Sequence, residues 1–357
     1  MDYLDFFGLT QEPFSMAPVG RFYYNSAQHS RAIVRLMYAV DTMKGLAVLI
    51  GDIGTGKTTL ARRMLDSLPE EEYESALLVI IHSGITADWL LERIALQLGV
   101  KDPEKEKLKL LNQLYKRLVE LHDKNKKAVV LIDEAQMLQT RQIMEEFRGL
   151  LNLEMPERKL ITFVLFGLPD IEDSLKLDPP LAQRVALKYT LEAFNEENTR
   201  GYIQHRLRLA GSHEEIFDPP AATLVHHYAR GIPRLINTIC DNALFEGYLL
   251  RQKKIATPLI SSVVSDLGLA REEDDTPKTG PSLAGTVSRG DQPAPSQQQG
   301  KPPSKKAAAQ NQDVDQVLDQ FDKIIVNEHK SSPQPKRKTE ETNDTDIDGM
   351  LDDLEEK

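Results

Sequence analysis

From about residue 46 to residue 191, short apolar runs alternate with amphipathic stretches. The runs at 46–50, 76–82, 128–132, 160–166 and 185–191 have strand length and carry little polar interruption. Runs of that kind fit strands buried on both faces. Residues 59–65, 88–98 and 108–121 between them repeat apolar positions at helical spacing. Strand and helix in alternation predict a parallel five-stranded sheet with helices on both faces. From residue 195 the strand pattern stops, and 196–210, 221–229, 233–252 and 258–267 read as successive helices. Residues 271–312 are rich in Pro, Gly, Ser, Gln and charge and nearly lack aliphatics, the composition of a disordered linker. Beyond them Val314, Val317, Leu318, Phe321, Ile324 and Ile325 recur at helical spacing, as do Ile347, Met350, Leu351 and Leu354. The expected organisation is an α/β domain over 1–194 and an all-helical lid domain over 195–268. A mostly disordered acidic tail over 269–357 follows, with candidate docking helices at 313–327 and 346–355.

The turn after the first run reads Gly51-Asp52-Ile53-Gly54-Thr55-Gly56-Lys57-Thr58, a full G-x-x-x-x-G-K-[ST] phosphate loop, and Thr59 continues into the helix behind it. A strand, a glycine-rich turn and a helix are the context this motif needs. Glycines let several backbone N–H groups converge on one phosphate chain, and the new helix aims its positive end at the same point. Lys57 is placed to reach the β- and γ-phosphates of ATP, and the Thr58 hydroxyl to sit on Mg²⁺. The third run ends in Asp133-Glu134-Ala135-Gln136. An Asp at such a strand end holds Mg²⁺, and a neighbouring Glu can orient and deprotonate an attacking water.

Composition narrows the class. The chain has 357 residues, a single cysteine (Cys240) and a net charge of −11. A lone cysteine excludes an internal disulfide and fits a reducing compartment. The N-terminus has no basic segment followed by an apolar one, and no run approaches the length of a membrane helix, so the expected location is cytoplasmic. The acidic balance argues against broad nucleic-acid binding. Residues 271–357 carry 12 Lys+Arg against 19 Asp+Glu, so much of the excess lies in the tail and a local basic patch on the folded part stays open.

The phosphate loop, Asp133-Glu134-Ala135-Gln136 and a helical second domain together resemble the AAA+ ATPase superfamily. Three stretches are similar, more narrowly, to the ExeA-like ATPases, also called general secretion pathway protein A. They are Phe6-Phe7-Gly8-Leu9-Thr10-Gln11-Glu12-Pro13-Phe14-Ser15, residues 130–136 with Arg148-Gly149-Leu150-Leu151-Asn152-Leu153-Glu154, and Gly231-Ile232-Pro233-Arg234-Leu235-Ile236-Asn237. The resemblance spans roughly residues 1–268. It implies that Arg234 is the sensor-2 arginine reaching the γ-phosphate. It implies that Arg184 is an arginine finger offered to ATP on a neighbouring subunit, hence a nucleotide-dependent homo-oligomer. Family members often carry Gln after the glycine that ends the fourth strand; Gly167-Leu168 stands here, which leaves that sensor without a polar side chain. The tail shows neither the membrane helix nor the peptidoglycan-binding domain of several ExeA-type proteins, so pore insertion through the cell wall does not carry over.

Two functions follow from the resemblance. One is an ATPase motor or switch for assembly of an envelope complex, such as secretion, pilus or exopolysaccharide machinery. It would meet its partners through the tail and lie peripherally at the inner membrane through one of them. The other is an ATP-dependent regulator that binds duplex DNA, of the transposition-regulator type. Other features are given structural roles: Trp89 reads as core, and His213, His226 and His227 lack metal spacing. Phe22, Tyr23 and Tyr24 precede the sheet where this fold holds adenine, and stacking and packing both remain open.

Overall fold

The structure, a computed structural model, describes residues 2–15, 22–156, 158–212 and 214–270. The expected tail with its two docking helices, and His213, lie outside the described residues.

All five apolar runs form strands: β1 (Leu46–Gly51), β2 (Tyr73–Val79), β3 (Lys127–Asp133), β4 (Ile161–Gly167) and β5 (Leu187–Leu191). They pair in parallel in the order β2-β3-β4-β1-β5. The alternation of side chains along a strand divides each run between two cores. Val48, Val130 and Phe163 face one, and Leu49, Leu131 and Val164 face the other. Only β2 departs clearly from its expected span. It begins at Tyr73 and stops at Val79, because Val79 pairs with Asp133, the last residue of β3. Ile80 N–H makes the last bond to β3, at Asp133 O (3.1 Å), and past it Ile81 stands 83% exposed.

Helix α1 (Tyr3–Phe7) precedes the sheet in sequence. Helices α2 (Ala27–Asp41) and α3 (Lys57–Asp66) cover one face of the sheet. The other face is covered by α4 (Ala87–Gln97), α5 (Lys107–Asp123), α6 (Arg141–Leu150), α7 (Ile171–Lys176) and α8 (Pro179–Ala182). Each fully buried Leu, Ile or Phe of these faces contributes about 1.5–3 kcal/mol through loss of contact with water. On α4 the buried stripe is Leu90, Leu91, Ile94 and Ala95. Trp89 lies beside that stripe, 39% exposed, with the Arg93 guanidinium 5.8 Å from its ring centre. The core role expected for Trp89 is therefore corrected to a half-exposed surface position.

The last four helices are α9 (Glu196–Leu209), α10 (Pro219–Ala229), α11 (Pro233–Leu249) and α12 (Thr257–Asp266). Asn195 caps α9 by accepting from Asn198 N–H, and the other three begin with Pro in the first turn, where its missing N–H costs nothing. Their shared core takes in Phe7, Leu9, Phe14 and Phe22 from the N-terminal segment. Phe14 meets Phe217 edge to face at 6.1 Å. Thr10 N–H and Thr10 Oγ1 both donate to Ala210 O, and Gln11 Nε2 donates to Leu209 O. These bonds satisfy carbonyls that the end of α9 leaves open. Chain order attaches Phe6–Ser15 to the α/β half; its side chains pack with the helices. Among the described residues, no helix is long and apolar enough to cross a membrane.

Candidate active site

A parallel sheet presents its strand ends along one edge, and crevices form there. β1 ends at Gly51, where the phosphate loop begins. Gly54 (φ 81°) and Gly56 (φ 104°) both take left-handed backbone, which an L side chain resists, and Gly56 caps the start of α3. The Lys57 side chain folds back over its own loop, Nζ donating to Gly51 O at 2.8 Å and Asp52 O at 2.9 Å. Burial pulls its pKa down, and the carboxylates of Glu134, Asp133 and Asp52 push it back up. Lys57 is 7% exposed and bonded only to neutral carbonyls. A phosphate oxygen is a far stronger acceptor for it.

The end of β3 lies two strands away, across β4. Asp133 is 1% exposed; its Oδ1 accepts from Glu134 N–H at 3.0 Å, and its Oδ2 is buried with no partner. Burial raises its pKa, against the lowering effects of the Thr58 hydroxyl, the Glu134 N–H and Lys57. A buried carboxylate oxygen without a partner, beside a threonine hydroxyl, is a donor set suited to a hard cation such as Mg²⁺. Thr58 and Asp133 thus fit the metal role expected of them. Glu134 turns the chain out of β3 with φ 56°, and its carboxylate accepts from Gln136 Nε2. Gln136 Oε1 in turn accepts from Leu168 N–H at 3.1 Å.

The helical wall closes the other side. Gly231, also left-handed (φ 69°), lies against the Phe194 backbone, and Phe194 N–H donates to Gly231 O at 2.8 Å. This contact aims the start of α11 at the phosphate loop. Arg234 N–H donates to Gly54 O at 3.3 Å, so the expected sensor arginine stands directly over the loop. The cleft between the two walls has a volume of about 650 Å³. Residues 53–59, Glu134 and Arg234 line it, whereas Gly51, the exposed Asp52 and the buried Asp133 do not. Arg184 does not line it: its guanidinium donates to Arg148 O and to Asn152 Oδ1 at the end of α6.

Sequence reasoning gave no role to several residues of this cleft. His29, 4% exposed, receives or gives a hydrogen bond at Nδ1 to Ser26 Oγ (2.7 Å) and a second to the Thr55 backbone. Burial lowers its pKa to about 4. Arg206, 5% exposed, donates to Tyr202 Oη and Ser15 O and lies 4.9 Å from the Phe22 ring centre. Its Nε has no hydrogen-bond partner, and among the described residues no carboxylate forms an ion pair with it. Aromatic faces and neutral oxygens hold this charge instead. Tyr23 meets His29 edge to face at 6.0 Å, and Tyr24 meets Phe194 at 5.7 Å, so both rings line the cleft and pack against it. For His29 the Ser26-x-x-His29 spacing of a helix start is the local signal; the resemblance sets Phe22, Tyr23 and Tyr24 near the adenine, and Arg206 has no local signal.

Comparison with known proteins agrees with this geometry. A family model described as an AAA domain matches residues 40–175. General secretion pathway protein A of Aeromonas hydrophila is 36% identical over 274 residues, covering 76% of this chain and 49% of that protein. The chain thus spans about half the length of that curated relative. The ORC2 protein of Aeropyrum pernix, solved with ADPNP and ADP, aligns with a TM-score of 0.54 at 16% identity, over 72% of this chain and 71% of that one. A Walker-type ATPase of Pyrococcus abyssi aligns at 0.52 and 18% identity, over 71% and 76%. At such identity the solved structures establish the fold alone, a P-loop AAA+ core. Over the stretch shared with the Aeromonas protein, the chain belongs to the ExeA-like AAA+ family.

Proposed function

We propose that the chain binds ATP with Mg²⁺ in this cleft and hydrolyses it, as a motor or switch for assembly of an envelope complex. The observation that carries the reading is the convergence of the phosphate loop, Glu134 and Arg234 on one crevice, with the unpartnered Asp133 Oδ2 next to Glu134. In this reading the backbone N–H groups of residues 53–59 hold the phosphates, and Lys57 leaves the Gly51 and Asp52 carbonyls for them. Thr58 and Asp133 hold Mg²⁺, which when bound offsets charge on the β- and γ-phosphates. Glu134 orients a water and takes its proton, and Arg234 contacts the γ-phosphate from the helical wall. Arg184 serves a neighbouring subunit, and its bonds to Arg148 and Asn152 keep it out of its own cleft. The envelope role rests on the name of the Aeromonas relative. A cytoplasmic location, with the inner membrane reached through a partner, goes with it.

Turnover of Mg-ATP by the full chain tests the reading. Glu134→Gln should keep ATP affinity and lose about 100-fold or more in kcat, the scale of general-base catalysis. A wild-type rate in that variant removes Glu134 from the chemistry. Mixing Arg184→Ala with Lys57→Ala subunits should restore activity that neither has alone, and no restoration from folded mixtures rules out a finger in trans.

One observation favours the duplex-DNA reading. At the opposite edge of the sheet, Lys44, Lys126, Lys127, Arg158 and Lys159 surround a groove of about 640 Å³ whose lining has Asp41 as its carboxylate. Such a patch can follow a phosphate backbone despite the acidic total. ATPase stimulation by duplex DNA that disappears at high salt would support this reading over the envelope one.

A further inference from the structure

Leu168 follows the glycine that ends β4, where the resemblance leads one to expect a polar side chain. Leucine has no hydrogen bond to offer. β4 runs between β1 and β3, so its end lies between the phosphate loop and Asp133. The polar group at this point of the cleft comes from the adjacent strand end. A 3₁₀ turn over Ala135–Met137 swings Gln136 back toward β4. There its Oε1 accepts from Leu168 N–H at 3.1 Å, and its Nε2 donates to Glu134 Oε2.

The amide can face only one way. Leu168 N–H is a donor, so the side-chain oxygen must meet it; the NH₂ then meets the carboxylate, which accepts. The approach also depends on Gly167. A Cβ there would lie 3.3 Å from both Gln136 N and Gln136 Oε1, tighter than ordinary contact. Gln136 is itself only 5% exposed. A buried primary amide with both ends bonded holds its neighbours to one geometry, because any rotation leaves a buried polar group unpaired.

We propose that Gln136 is the positioning residue for Glu134, taking the place of the polar side chain that position 168 lacks. It ties the carboxylate to the end of β4 and so sets its direction relative to the phosphate loop. The inference rests on the ATPase reading above, and concerns how this chain aims the group that would activate water. Gln136 acts through Glu134 and is not itself placed on the reacting atoms.

Gln136→Met in the full chain keeps length and shape and removes both hydrogen bonds. Its kcat for Mg-ATP should fall about 10–100-fold, the usual cost of losing an outer partner of a catalytic group, with affinity for a fluorescent ATP analogue within about twofold of wild type. Amide hydrogen exchange at Leu168 should quicken, a readout independent of turnover. Gln136→Glu keeps an acceptor for Leu168 N–H but sets a carboxylate against Glu134. It should leave Leu168 protected and still lower kcat, which separates the two bonds and guards against misfolding of the first variant. In a Glu134→Gln background, adding Gln136→Met should change kcat no further, whereas an independent structural role would add its own loss. A wild-type kcat in Gln136→Met overturns the proposal, as does an equal loss of affinity and kcat, or additivity with Glu134→Gln. If the wild-type chain fails to hydrolyse ATP at all, the ATPase reading falls and this inference falls with it.

Discussion

On the sheet side of the cleft the contacts are short in sequence and mostly involve backbone: Lys57 to Gly51 and Asp52, Asp133 to Glu134, Thr55 to Asp52. On the helical side they join distant parts of the chain: Arg206 to Ser15, Phe194 to Gly231, Arg234 to Gly54, Tyr24 against Phe194 and Tyr202. The first wall is a local motif standing on a buried sheet. The second is assembled from an N-terminal segment, the strand-to-helix connection and two lid helices, none of which makes a site alone. One wall should therefore fail by loss of a single interaction, and the other by loss of packing that then reaches the cleft.

Lys57→Ala is the strongest test of the sheet side. It removes the buried cation that the proposed function sets against the terminal phosphates while leaving Gly54 and Gly56 to shape the loop. The expected outcome is a loss of ATP affinity of roughly 100-fold, in line with deleting one partner of a buried charge pair. The unfolding midpoint should stay close to wild type, because Lys57 bonds only to carbonyls in the free protein. A large drop in stability with unchanged affinity would reverse the roles assigned to the two walls.

The second test strikes the helical side. Gly231 takes φ 69°, and a Cβ there would come 1.9 Å from Phe194 O. No flexible side chain can give way, since the obstacle is backbone. Gly231→Ala should destabilise the chain by about 2–4 kcal/mol, from left-handed strain plus the clash. Urea unfolding measures that directly. ATP affinity should also weaken, more modestly than in Lys57→Ala, because the shifted chain carries Pro233 and Arg234 away from Gly54. Unchanged affinity in a destabilised Gly231→Ala would disconnect α11 from the phosphate loop.

How much could be read beforehand follows the same division. The phosphate loop and the Asp133-Glu134 pair were legible because their chemistry lies in contiguous residues at strand ends, and the five strands because each run is mainly apolar and of strand length. Gln136 was visible as a residue of the motif, but its task depends on Leu168, on a different strand. Arg206 lies on an ordinary amphipathic helix, and nothing in its neighbours announces a charge held by Phe22 and Tyr202. The Phe6–Ser15 signature could be recognised without its purpose being apparent, since packing under α9 and α11 is a tertiary fact. Trp89 was misread because helical spacing ranks faces without saying where the buried stripe ends.

The smallest expected effect belongs to His29, which touches both walls. Its ring bonds Ser26 and the Thr55 backbone and meets Tyr23 and Phe194. Burial lowers its pKa from 6.5 to about 4, partly countered by the Thr55 bond. The folded chain therefore keeps His29 neutral at pH 5, where the unfolded chain has bound a proton. Between about pH 6.5 and 4 the unfolded state holds more protons, so stability falls as pH falls, by at most about 1.4 kcal/mol per pH unit from this group. His205, whose pKa burial also lowers against the opposing bond to Tyr23 O, adds to the same slope. Urea unfolding at pH 7, 6 and 5 should therefore show a steeper loss in wild type than in His29→Gln, with His205→Gln removing part of the remainder. If wild type and His29→Gln lose stability in parallel across this range, His29 is not a buried neutral link between the two walls. The phosphate loop would then owe its shape to the sheet side alone.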